Sequence, residues 1–175
     1  MLGRLRREKV PDDIKAAIDL AATERVIAAA RRDDQSHVVA TDRALYLVST
    51  TLDNESAEVT ARLRWDLIDK ATWEPPLLAL NVRDSPDSEV VSVLVAIDTD
   101  AELPAVVREC VTNSIVVNSR IEVPGGSARV VARRNPDDGI LSWRVVLSEG
   151  VSPNDPTVRA AADQELAELR STLGV

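Results

Sequence analysis

The chain has 175 residues, a formal net charge of −8 and a pI near 4.7, with 45% hydrophobic and 29% charged residues. That length suits one domain with a small appendage and allows a core that needs no staples, in a globular rather than disordered composition. The acidic balance opposes non-specific binding to nucleic acid or an anionic bilayer, and the lone Cys110 excludes an intramolecular disulfide and a thiolate metal cage.

No apolar run reaches the ~20 residues of a membrane helix. The opening MLGRLRREKV is basic without an apolar stretch or a small-residue cleavage site, so a solvated tail on a cytoplasmic protein is expected. There is no Phe, so Val, Leu, Ile and Ala must build the core, with Trp65, Trp73 and Trp143 as its large anchors.

In chain order, PDDIKAAIDLAA (11–22) reads as an amphipathic helix. Pro11, Asp12 and Asp13 suit its entrance, and Ile14, Ala17, Ile18 and Ala21 form its apolar stripe. Residues 24–32 read as a strand around Val26 and Ile27, with RRDDQS as the polar turn after it. HVVATDRALYLV (37–48) reads as two strands folded back about Thr41 and Asp42. Val39, Leu45 and Leu47 give its apolar alternation, and Arg43 and Tyr46 its polar or amphipathic face. TTLDNES is a loop of turn formers.

Residues 59–65 form the cleanest strand, with Val59, Ala61, Leu63 and Trp65 on one face and Thr60, Arg62 and Arg64 on the other. Residues 66–69 turn the chain, and 70–74 make a short strand that Pro75 and Pro76 end. Residues 77–83 and 89–97 read as a hairpin across 84–88. Val91, Val93, Val95 and Ile97 share one face of its second strand, with Val90 and Leu94 on a partly covered opposite face.

Thr99 and Glu102 have capping-box spacing, and Pro104 suits a first helical position. A helix over 104–118 follows, with Val106, Val107, Cys110, Val111 and Ile115 as its stripe. After the break at Pro124, Gly125 and Gly126, strands over 128–134 and 140–147 flank the turn NPDDG. Trp143, Val145 and Leu147 share a face of the second. Asp155 and Pro156 open a last helix striped by Val158, Ala162, Leu166, Leu169 and Leu173, with Gly174 at its exit.

Seven strands, one following helix and short connections make the layout of a pleckstrin-homology-like (PH-like) split barrel. VVATDRALYLV resembles the second and third strands of bacterial PH-like and GRAM-like domains, and ARLRWDLIDKATW the strand and turn after them. The acidic, Phe-free chain is similar to PH-like proteins of actinobacteria. The resemblance runs from Glu24 to Asn118 and implies an α+β, mainly β fold: a split barrel of seven antiparallel strands capped by a helix. The organisation expected is an N-terminal leader and helix (1–23), the barrel with its capping helix (24–119), and a C-terminal hairpin and helix packed on the same domain (120–175).

Candidate chemistry is sparse. His37, the lone histidine, reads as a surface or strand-end residue, because a general base needs an orienting acid and Asp33 and Asp34 sit in a turn. Cys110 reads as a buried structural thiol. Asp12/Asp13, Asp33/Asp34, Asp84/Asp87 and Asp137/Asp138 lack calcium-loop spacing and read as solvated turns. Arg31 and Arg32 stand where lipid-binding PH domains clamp phosphates, but Asp33 and Asp34 follow at once and oppose a multiply charged headgroup. Arg62/Arg64 and Arg133/Arg134 read as paired surface charges.

No catalytic, cofactor-binding or metal-binding residue is therefore assigned, and no cofactor is called for. The expected function is a non-catalytic protein-interaction or assembly module, working through a strand edge or the groove between barrel and helix, with a homodimer as one form of assembly. A small-molecule or lipid-ligand carrier is the alternative.

Overall fold

The computed structural model describes residues 10–32, 36–50, 56–98 and 102–174. They divide into two compact units, one running up to Ser114 and taking in 135–138, the other formed by 115–134 and 139–174.

In the first unit helix α1 (Asp12–Ile18) is followed by β1 (Val26–Arg31), β2 (His37–Thr41), β3 (Ala44–Thr50) and β4 (Ala57–Arg64). A single 3-10 turn, Trp65–Leu67, leads to β5 (Ile68–Glu74), β6 (Leu77–Val82), β7 (Val91–Ala96) and helix α2 (Leu103–Asn113). The strands pair in sequence order as two antiparallel sheets, β1-β2-β3-β4 and β5-β6-β7. One core draws on both: Val38, Ala40, Leu45 and Trp65 from the first half meet Ile68, Leu80, Val95 and Ile97 from the second. Leu103, Val107 and Val111 of α2 enter the same core. This is the PH-like split barrel with its capping helix.

The capping helix is shorter than the periodicity predicts. It ends at Asn113, and Ile115, assigned to its stripe, opens a strand instead. Ser114 stops it by turning its hydroxyl back on the Val111 carbonyl at 2.7 Å. Pro104 lies in the first turn as predicted. Glu102 makes no side-chain capping bond, and its proposed partner Thr99 lies outside the described residues.

The hairpin β2–β3 departs from a one-sided pattern. Every residue of β2 is buried, and so is Tyr46, which pattern alone places on a polar or amphipathic face. The reason is α1: Ile14 and Ile18 pack with Val39, Ala44, Tyr46 and Val48 on the face opposite the barrel core. Each large aliphatic side chain removed from water in this way contributes about 1.5–3 kcal/mol.

A bulge explains a second departure. Leu47 pairs with Ala61 but Val48 pairs with Val59, so Thr60 is the extra residue. Side chains change face there. Leu63 points into the barrel core, whereas Val59 joins Ala57 in the α1 cluster. The single face predicted for Val59, Ala61, Leu63 and Trp65 is thus two faces. Val95 of β7 and Ile97 just after it are buried as expected, but Val91, at the start of the same face, is 57% exposed; on the opposite face Leu94 is 64% exposed, so that face is not covered within the unit.

The second unit holds β8 (Ile115–Val123), β9 (Gly126–Arg134), β10 (Leu141–Leu147) and α3 (Pro156–Leu173), with the strands in the order β10-β9-β8. Beside the expected hairpin and helix stands an additional strand, β8, whose first residues, 115–118, the pattern assigns to the preceding helix and whose remainder it leaves unassigned. Gly125 takes a φ of 86° in the β8–β9 turn, a conformation that costs glycine least. Asp155 caps α3 by accepting the Thr157 N–H at 2.8 Å, and Gly174 ends it at a φ of 71°. The helix lies on β8 and β9, burying Val158 with Val123, Ala128 and Val151.

Trp65 is 3% exposed and is the one tryptophan wholly inside. Trp65→Ala should lower stability by about 3–5 kcal/mol, read as a fall in the urea midpoint followed by circular dichroism. An unchanged midpoint would mean that this side chain does not anchor the barrel.

Candidate functional site

Thr41 closes β2, and its side chain works in both hydrogen-bonding senses. The hydroxyl donates to Glu24 Oε1 at 2.6 Å and accepts the backbone N–H groups of Arg43 and Ala44 at 3.1 and 3.0 Å. The Thr41 carbonyl accepts Trp65 Nε1 at 3.0 Å. Asp42 holds the other side of the corner, accepting the Arg25 N–H at 3.0 Å while its own N–H donates to the Arg25 carbonyl. Glu24 is 8% exposed and also accepts the Tyr46 hydroxyl, at 2.9 Å. Burial pushes the Tyr46 pKa up, which keeps the hydroxyl protonated and able to donate.

Arg62 continues the chain of contacts on the outer side of β4. Its Nε donates to Tyr46 Oη at 2.9 Å, and its two terminal nitrogens grip Asp137 at 3.0 and 2.8 Å. Asp137 is also 3.8 Å from Arg43. The Arg62 hydrogen bonds hold the Asp137 carboxyl below the usual carboxylate range. The pairing expected of Arg62 and Arg64 is present, with Asp137 and Asp66 as partners, but Asp66 is fully buried, so the second pair is no surface contact.

A groove of about 470 Å³ lies between β5 and α2, where Trp73 faces Pro104, Ala105 and Arg108, with Thr112 and Asn113 at one end. The same β5 is an edge of its sheet, paired with β6 alone among the described strands. A strand edge offers unpaired N–H and C=O groups, and Trp73 and Pro104 offer apolar surface beside them. Arrangements of this kind suit an extended segment rather than a reaction.

Among the described residues, those weighed for chemistry do not gather into a reactive constellation. His37 begins β2, at a strand end as expected, but is only 9% exposed and so is not a surface residue. Asp33 and Asp34 lie outside the described residues. Cys110 is half-buried on α2, and burial, with Glu109 and Asp42 adding to it, pushes its thiol up to about 11, far from thiolate reactivity at neutral pH. Arg31 ends β1, exposed, while Arg133 is buried and Arg134 exposed. Among the described residues no cluster of His, Cys, Asp or Glu is arranged to hold a metal ion. No helix among them is long and apolar enough to cross a membrane.

No protein-family model matches the chain, and no curated protein does. Among solved structures it is similar to a DUF1696 family protein with a pleckstrin-homology domain from Shewanella loihica. The two are 12% identical, and the match covers 57% of this chain and 88% of that one with a TM-score of 0.39.

Tyr46→Phe removes a donor to buried Glu24 and an acceptor from Arg62, and should cost about 1–3 kcal/mol in denaturant unfolding. Asp137 gives a pH signature. Its folded pKa lies below its unfolded value, so the stability it adds is complete above about pH 4 and is lost as pH falls through the folded pKa. Asp137→Asn should therefore lose less stability than the parent between about pH 6 and about pH 3. Equal losses would show that the Arg62 pair carries none of the acid dependence.

Proposed function

We propose that the PH-like unit is a non-catalytic, cytoplasmic protein-interaction module, taking an extended partner segment along β5 in the groove beside α2. One observation carries the reading: β5 has a strand partner on one side, and an apolar groove containing Trp73 runs beside it. Main-chain hydrogen bonds to the strand would supply affinity, and alternate side chains of the segment would meet Trp73, Pro104 and Ala105. The raised Cys110 pKa and the burial of His37 favour binding over catalysis. The net charge of −8 favours a protein partner over nucleic acid or an anionic membrane surface.

The test is affinity capture with the full chain, followed by amide hydrogen exchange on the captured complex. Slowed exchange should centre on β5. Trp73→Ala and Ala105→Arg, the latter at an exposed position, should each abolish capture while circular dichroism stays unchanged. Capture that survives both substitutions would sink the proposal. A second copy of the chain as the captured protein would make the module a homodimer.

A further inference from the structure

Helix α3 is too short to cover its sheet. Pairing places Ala132 of β9 beside Trp143 of β10 and Val117 of β8, and Arg134 beside Leu141 in the next row. Ala132 is fully buried and Trp143 is half-covered, with the Arg170 guanidinium 5.5 Å from its ring centroid. One turn later α3 ends at Leu173 and Gly174. Beyond it lies a groove of about 590 Å³, whose walls include Val116, Arg134, Ile140, Leu141, Trp143 and Arg170. Ile140 is 67% and Leu173 42% exposed.

The charge in this groove has one sign. Among the described residues Arg134 and Arg170 line it, and no acidic side chain does. Among the described residues neither guanidinium has a carboxylate partner, although acids outnumber bases 29 to 21 in the chain. Arg134 is steadied by donating to the Gly139 carbonyl at 3.2 Å, and Arg170 by lying over the Trp143 ring. Each therefore keeps further N–H groups for a ligand. The carbonyl end of α3 carries roughly half a negative charge, which offsets part of one arginine and leaves the groove positive.

We propose that this groove binds a short acidic-apolar peptide segment, its aliphatic side chains on Leu141, Ile140 and Trp143 and its carboxylates on Arg134 and Arg170. The guanidinium fork matches a carboxylate in two parallel hydrogen bonds, and the stacked arginine is already oriented for it. Such a segment supplies both features that the groove presents. The site is separate from the β5 groove, and either can stand without the other.

The test uses the full chain and a fluorescein-tagged peptide alternating leucine with aspartate, with a lysine counterpart as control, followed by fluorescence anisotropy. The acidic peptide should bind saturably below about 1 mM and the lysine peptide at least about tenfold more weakly. Single exposed ion pairs change affinity by less than about fivefold, so the informative variant combines Arg134→Glu with Arg170→Glu and should weaken binding at least about tenfold. Ile140→Ser, at an exposed position, checks the apolar half and should also weaken it. Trp73→Ala should leave it unchanged. Absence of saturable binding, equal binding of the lysine peptide, or indifference to the arginine reversal would overturn the proposal. So would laurate binding to the groove when the acidic peptide does not.

Discussion

The hydroxyl of Thr41 is the contact on which the first unit turns. It satisfies two backbone donors at the β2–β3 corner and donates to Glu24, while the carbonyl of the same residue receives the indole of Trp65. A buried carboxyl group without partners would cost several kcal/mol, so Glu24 is tolerable there only because Thr41 and Tyr46 both serve it. The effect is to tie the start of β1, the corner of the hairpin and the end of β4 to one point. Strand register is then held by polar geometry as well as by apolar faces.

The two faces of the β1–β4 sheet do different work. One fills the barrel core with α2, and the other is covered by α1. The bulge at Thr60 makes this arrangement possible, since β4 must face the barrel at Leu63 and α1 at Val59. An extra residue in a strand costs a ladder position, but here it moves a whole set of side chains to the face that needs them.

Both binding readings rest on the same structural economy. In each unit a helix packs on strands and leaves a groove open, beside an edge strand in one case and at the end of α3 in the other. The grooves differ in chemistry. The β5 groove combines unpaired backbone with Trp73 and Pro104, whereas the α3 groove combines aliphatic side chains with two arginines. A chain carrying both could join two partners without any catalytic step.

Alternation and turn chemistry made the seven barrel strands and the last helix legible from sequence, because those signals are local. Pro and Gly mark turns, and period-two patterns mark half-buried strands. The same logic missed β8: in IVVNSRIEV the exposed positions alternate with half-buried ones, and the helix predicted to run to 118 competes for its start. Nor did it show the burial of Tyr46, His37 and Asp66, polar or amphipathic residues whose cover comes from elements distant in the chain.

The candidate sites were legible only in outline. Strand edges and a barrel–helix groove follow from the order of elements, but the meeting of Trp73 with α2, or of Arg134 with Arg170, joins residues 31 or more positions apart. By itself, then, the sequence determined where the barrel strands and the last helix form. Tertiary structure alone decided which faces are covered twice, where the β4 bulge falls and which arginines stand apart from the acids among the described residues. Those outcomes depend on how much surface one element can hide from water on another, a quantity that no single segment contains.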